Sequence, residues 1–202
     1  MWLPEALRIL RGQQPDIEIT LASQSSPELV GALMRGKVDV AFLRREKEAP
    51  GIAFKPLIRE PLVAVLPAGH RLAAQRSVRL QDLAKETYIS PTRVAPALKV
   101  VIEDYAAKGR VILKPKYDAE NTSSVISLVT STGGVTLLPL YVKLTLPSSV
   151  VIRRLQGDAP TIELFLGYSR SNTSPLLKRF VALADQLVAS VAKPDAEFLS
   201  PP

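Results

Sequence analysis

The chain contains no cysteine and only one histidine, His70, among its 202 residues. Disulfide bonds, thiol chemistry and zinc sites of the usual cysteine–histidine kind are therefore excluded. His70 lies in the run 67–71, whose Pro-Ala-Gly-His-Arg sequence is typical of an exposed turn rather than of a catalytic base. We expect no catalytic residue, no metal site and no cofactor.

Long apolar runs are also missing. No stretch approaches the roughly 18 consecutive apolar residues that predict a membrane span. The first residues, MWLPEALRIL, lack the basic segment and the unbroken apolar stretch of a secretory signal. We therefore expect a cytoplasmic protein with no membrane partner.

Positive charge is in modest excess. The 26 lysines and arginines outnumber the 19 acidic residues, which gives a formal net charge of +7. Such a balance is compatible with nucleic acid, with an anionic ligand or with solubility alone. The cations do not form a dense stripe, because Arg44-Arg45, Arg153-Arg154 and Lys178-Arg179 are isolated pairs. Direct contact between this chain and DNA is not expected.

The first third of the chain predicts a strand–helix–strand unit that follows an opening helix over 3–10. Apolar and polar residues alternate over 17–21, which indicates a half-buried strand near a sheet edge. Ser26 is the predicted N-cap of the next helix. The run 38–43, apolar except for Asp39, then predicts a central parallel strand, and strand, helix and strand make a right-handed crossover unit.

The remainder of the chain predicts a second α/β unit and a final helix. Together these elements form two α/β lobes, 1–68 with 170–202 and 69–169, joined by two crossover segments that leave a hinge and a cleft. The predicted strands cover 62–66, 87–90, the region of Tyr117, 135–138 and 162–168, and the predicted helices cover the region 98–105, a segment capped by Asn121 or Thr122 that ends at Gly133-Gly134, and a segment from Ser174-Pro175 to Val191.

Four segments carry motifs that occur together. Residues 26–42 fit the pattern S..L...L..G.lDvai, and residues 59–72 closely resemble E.LVLVLP.GHPL, with Arg71 where proline is usual. The Leu-Gln-Asp-Leu run at 80–83 matches the short helix that opens a second lobe. A fourth match follows at 133–139, which fits G.GvalLP although a threonine stands where the first glycine usually falls.

In order and spacing, these motifs resemble the effector-binding domain of LysR-type bacterial transcription regulators. The resemblance extends from Leu3 to Val191. It implies two Rossmann-like lobes of the periplasmic-binding-protein type, with a small-molecule effector in the cleft between them. It also implies a homodimer or tetramer, and promoter DNA bound only through an N-terminal helix-turn-helix domain that nothing before Leu3 supplies.

The resemblance also implies a missing strand. In the family, a strand precedes the helix that begins here at Leu3, and it lies between the strands predicted at 17–21 and 38–43. We expect one of three outcomes. The two strands pair directly, another segment or subunit fills the slot, or the natural protein is longer. The loop after that strand usually touches the effector, so binding by this chain is expected to be weak.

Ligands of open α/β sheets bind beyond the carboxyl ends of the strands, and four loops have that position. Three of the loops begin or approach helices, whose unpaired N–H groups and dipole attract anions, and Arg44 adds a fork suited to a carboxylate. We therefore expect a small organic acid as the effector. The predicted effector-binding residues are Ser25, Ser26, Arg44, Ser90, Pro91, Thr92, Asn121 and Thr122.

Two other classes of protein share the expected fold. A solute-binding protein of a transporter is one alternative, and the absence of a secretory signal argues against it. An enzyme is the other, less favoured because no carboxylate pair, nucleophile–base couple or glycine-rich phosphate loop supports it.

Overall fold

A computed structural model describes residues 2–45, 49–91 and 95–191 of the chain. It divides into two compact units, one formed by residues up to 58 and from 163 onward, the other by residues 59–162. The sequence predicted that the chain passes from one lobe to the other after residues 68 and 169, which is several residues later at each crossing. The elements in chain order are α1 (Trp2–Gln13), α2 (Ser26–Met34), β1 (Val40–Leu43), β2 (Ile52–Pro67), β3 (Ser77–Val78), α3 (Leu80–Leu83), β4 (Tyr88–Ser90), α4 (Pro96–Lys108), β5 (Pro115–Asp118), α5 (Thr122–Thr132), β6 (Thr136–Pro139), β7 (Val150–Leu155), β8 (Thr161–Ser169) and α6 (Pro175–Val191), with short 3₁₀ helices at Arg71–Ala74 and Leu140–Leu144.

In the first unit, β1 is the end strand of the sheet and runs antiparallel to β8. The predicted central parallel strand over 38–43 is therefore wrong in both position and direction. Both faces of β1 are nevertheless covered. Val40 and Phe42 pack on one hydrophobic cluster, and Ala41 and Leu43 belong to another. The apolar run 40–43 reflects burial of both faces, which a covered end strand has as well as a central one.

One core of the first unit, here called the α1–α6 core, is formed by α1 and α6 with residues of β2 and β8, and the final helix packs on the first helix. Periodic apolar residues on both helices face this cluster. No helix among the described residues is long and apolar enough to cross a membrane. The buried members of the cluster are Ala6, Leu10, Leu57, Leu166, Phe180, Leu183 and Ala184.

The segment 17–21 is not a strand, and that prediction is wrong. Ile17 and Ile19 pack against the α1–α6 core, as alternation requires, but Leu21 is exposed. No described residue forms a ladder with this segment, and an extended segment becomes a strand only when a neighbouring backbone pairs with it. Direct pairing with β1 is therefore ruled out, whereas the other two outcomes for the missing strand stay predictions.

In the second unit, the strands lie in the order β5-β4-β6-β2-β7-β3. The β5–β4, β4–β6 and β7–β3 neighbours are parallel, and β2 runs antiparallel to both β6 and β7. The helices α4 and α5 connect β4 to β5 and β5 to β6. The predicted α/β unit in the middle of the chain is confirmed. The sequence did not predict β3, β7 or the first half of β2.

Candidate functional site

The first candidate site lies in the first unit, where α2 begins. Ser25 is the N-cap and Ser26 is the first helical residue, so the predicted cap is wrong by one position. The N–H and the hydroxyl of Ser25 both donate to Glu28 Oε2, at 2.9 and 2.7 Å. Bonds to the charged carboxylate stabilise it, and they hold the pKa of Glu28 below its usual value.

Ser26 connects the start of α2 to the end of β1. Its Oγ accepts a hydrogen bond from the backbone N–H of Arg44 at 3.0 Å. A hydroxyl has one proton to donate and two lone pairs, so Ser26 still has its own proton to donate. The bond brings Ser25, Ser26 and Arg44 together at a helix N-terminus, where the dipole favours negative charge.

The side chain of Arg45 lies against an aromatic pair. Its guanidinium lies over the ring of Phe54, 5.4 Å from the centroid, and this ring meets Phe165 edge to face at 6.2 Å. These contacts assign the Arg45 side chain to the Phe54–Phe165 pair of the first unit.

The second candidate site lies in the second unit, beyond the carboxyl ends of β4 and β5. Ser90, which is 5% exposed, ends β4, and its carbonyl oxygen accepts the N–H of Ala119 at 3.0 Å. Asn121 caps α5, because its Oδ1 accepts the N–H of Ser124 at 2.8 Å. These bonds bring four predicted residues into one neighbourhood: Ser90, Pro91, Asn121 and Thr122. The predicted residue Thr92 lies outside the described residues.

His70 stands in a turn, as predicted, but its side chain is only 10% exposed, so the expected exposure is wrong. Its Nδ1 accepts the N–H of Leu72 at 3.2 Å, and its Nε2 lies 3.3 Å from Glu86 Oε2. The imidazole thus caps a short 3₁₀ helix and is held against a carboxylate. Within the part of the chain that the structure describes, no three histidine or acidic side chains are grouped as metal ligands.

Sequence reasoning missed one arrangement in the second unit. Glu60, on β2, is only 6% exposed, and its Oε2 accepts the N–H of Tyr141 at 2.9 Å. Tyr141 lies two residues after the end of β6, in the 3₁₀ helix Leu140–Leu144. Two signals were available, since Glu60 is the acidic residue of the 59–72 motif and Tyr141 follows the Leu-Pro that closes the 133–139 motif.

Comparison with known proteins assigns the chain to a family. A family model described as the LysR substrate binding domain matches residues 1–189. The chain belongs to this family. The Hca operon transcriptional activator HcaR of Escherichia coli K12 is 30% identical over 190 residues, which are 94% of this chain and 64% of HcaR. The chain therefore spans less than two thirds of the length of that LysR relative.

Solved structures share the fold at lower identity. The effector binding domain of QuiR, in complex with shikimate, matches with a TM-score of 0.82 at 22% identity, over 94% of this chain and 91% of that one. The effector binding domain of BenM with its effector benzoate matches with a TM-score of 0.80 at 19% identity, over 100% and 90%. The predicted two-lobe α/β fold of LysR effector-binding domains is confirmed.

Proposed function

We propose that this chain is the effector-sensing domain of a LysR-type transcription regulator and that it binds a small carboxylate-bearing metabolite without transforming it. The bond between Ser26 Oγ and the Arg44 N–H carries the proposal. It holds a guanidinium-bearing residue beside two hydroxyls at the N-terminus of α2. Regulators of this family and two effector-binding domains of the same fold, bound to shikimate and to benzoate, support the assignment.

A carboxylate suits the first candidate site on electrostatic grounds. The N-terminus of α2 carries a partial positive charge, and Arg44 offers a planar fork of donors. Each charge-assisted hydrogen bond contributes about 1.5–3 kcal/mol, so two or three such bonds hold a small acid. We propose that Ser26 and Arg44 donate to the carboxylate and that Ser25, whose N–H and hydroxyl already donate to Glu28, positions the start of α2 beside it.

The second candidate site offers polar groups of the same kind. Ser90 and Pro91 follow β4, and Asn121 and Thr122 begin α5, so a hydroxyl-rich helix start again follows a strand end. Polar groups of this kind fix a ligand's orientation rather than supply most of its affinity. We propose that Thr92 belongs to the same set.

For the whole protein we propose a cytoplasmic homodimer or tetramer that binds promoter DNA through an N-terminal helix-turn-helix domain. HcaR, a named transcriptional activator, supports this role. The domain itself is then not the part that reads DNA. A selection from random duplex DNA at about 0.15 M salt, where exposed charges are screened beyond about 8 Å, is expected to enrich no sequence with this chain. Enrichment of a defined site would contradict this division of roles.

A thermal-shift panel tests the sensing function. Benzoate, shikimate, succinate and glutamate are each added to the chain, and a bound ligand raises the melting temperature as its concentration exceeds Kd. The expected result is a shift with at least one acid, which mass spectrometry then recovers unaltered. Conversion of the acid would indicate an enzyme. No shift across the panel would count against carboxylate binding.

A further inference from the structure

The strand order of the second unit indicates where its sheet binds a ligand. β4, β5 and β6 follow one another along the chain, but β4 lies between the other two in the sheet. The chain therefore adds β5 on one side of β4 and β6 on the other, so the direction in which strands are added to the sheet reverses beside β4. In open α/β sheets a crevice forms at such a reversal, beyond the carboxyl ends of the two strands that flank it. Here those strands are β4, which ends at Ser90, and β6, which ends at Pro139.

The chain that leaves β6 presents one aromatic side chain at this point. In the 3₁₀ helix Leu140–Leu144, Leu140 and Val142 are buried, whereas Tyr141 between them is 47% exposed. Tyr141 is thus the first exposed side chain after the carboxyl end of β6. None of the eight predicted effector-binding residues comes from this strand end.

The backbone of Tyr141 is held by a buried carboxylate. Leu62 of β2 lies opposite Pro139 of β6, and the same antiparallel register, extended by two residues, sets Glu60 opposite Tyr141. The Glu60 carboxylate accepts the Tyr141 N–H at 2.9 Å at this point. A carboxylate is costly to bury unless it is hydrogen-bonded. The hydrogen bond from the Tyr141 N–H to Glu60 therefore fixes the backbone that carries the tyrosine ring.

We propose that Tyr141 contacts the effector and selects acids that carry a ring beside the carboxylate, with Glu60 as its positioning residue; this rests on the proposed function. A tyrosine ring offers a flat apolar face and a hydroxyl at its edge. The face packs on a cyclic effector, and the hydroxyl reaches a ring substituent. An open-chain acid gains little from either.

Calorimetric titration of the whole chain with benzoate, shikimate and succinate tests the proposal. Tyr141→Ala is expected to weaken benzoate and shikimate about tenfold and to leave succinate within about twofold, a tenfold change being 1.4 kcal/mol. Tyr141→Phe is expected to retain benzoate and to weaken shikimate, whose hydroxyls have lost a partner. The matched control is Ile112→Ala, at a side chain that is 75% exposed and precedes β5, which is expected to change no affinity.

A spectroscopic measurement separates contact from a merely structural role. In a ¹³C-tyrosine-labelled sample, the resonance missing from Tyr141→Phe is that of Tyr141, and saturating benzoate is expected to move it by ring-current shift. Glu60→Ala is expected to move it without ligand and to weaken benzoate. Glu60→Gln retains an acceptor and is expected to behave as the parent chain. A resonance that benzoate leaves in place would overturn the contact.

The affinities distinguish failure of this inference from failure of the proposed function. Ring acids that bind Tyr141→Ala as tightly as the parent chain would overturn the role of Tyr141 and leave the sensor intact. Binding of succinate alone would overturn the selection of rings and leave a carboxylate sensor. Binding of none of the three acids would reject both proposals.

Discussion

Arg110 and Gly133 end α4 and α5 in the same left-handed backbone conformation, with φ of 53° and 70°. Glycine adopts this region at little cost, whereas a side chain with a Cβ atom is strained there. Gly109, immediately before Arg110, has an ordinary φ of −77°. The glycine of this Gly-Arg pair is therefore one residue too early to relieve the strain at the end of α4.

We predict opposite changes in stability at these two helix ends. Arg110→Gly is expected to raise the free energy of unfolding by about 0.5–1 kcal/mol, because it removes a side chain from the left-handed region. Gly133→Ala is expected to lower it by about 1 kcal/mol. A Cβ at Gly133 meets nothing within 4 Å, so its cost comes from the backbone alone. Urea denaturation measures both, and changes of the same sign would contradict the explanation.

The hydroxyl of Tyr88 is buried and has no hydrogen-bond partner among the described residues. Burial of a hydroxyl without a partner costs about 1–3 kcal/mol in mutational data. Tyr88→Phe is therefore expected to raise the free energy of unfolding by about 1 kcal/mol. Tyr105→Phe, at a half-buried position on α4, is the control and is expected to have little effect. A loss of stability in Tyr88→Phe would indicate that the hydroxyl is bonded after all.

Tyr88→Phe is also expected to change how steeply the free energy of unfolding falls at high pH. Burial raises the pKa of the Tyr88 hydroxyl above its ordinary value. As pH rises past about 10, the unfolded chain loses this proton before the folded chain does, so stability falls. Tyr88→Phe removes that contribution. Its advantage in melting temperature over the parent chain is expected to widen above about pH 10, and a constant difference would contradict the prediction.

Arg44 and Arg45 are expected to respond differently to removal. Arg44→Ala should weaken binding of the effector acid about tenfold or more, since a charged hydrogen bond contributes about 1.5–3 kcal/mol, and should hardly change the melting temperature of the ligand-free chain. Arg45→Ala loses a contact with the Phe54 ring and should retain affinity. Calorimetry measures both variants. Equal affinity of Arg44→Ala and the parent chain would remove Arg44 from the site.

Ser26 is expected to affect both stability and binding. Ser26→Ala removes the side-chain acceptor of the Arg44 N–H, at a cost of about 1 kcal/mol, and removes a hydroxyl that we propose donates to the effector. Ser26→Thr keeps the hydroxyl and serves as the control. Urea denaturation and calorimetry together measure the two effects. If Ser26→Ala changes neither stability nor affinity, the bond contributes nothing to the site.

Local signals were enough to predict the family, the α/β class and most of the helices. Caps, apolar spacing and four short motifs lie within segments of a few to a few tens of residues, so a single sequence contains them. The helices at α2, α5 and α6 were recognised in this way, and the cap of α5 at Asn121 is confirmed. The predicted cap of α2, Ser26, was one residue away from the observed cap, Ser25, because two serines stand side by side.

Only the tertiary structure decided which segments pair and which partners meet. The run 40–43 is apolar because both faces of β1 are covered, and nothing in it specifies an antiparallel neighbour at a sheet end. The alternation over 17–21 is genuine, but a strand also requires a second backbone. Glu60 and Tyr141 are 81 residues apart. Their bond depends on the register between β2 and β6, and no local pattern encodes a contact between residues so distant in the chain.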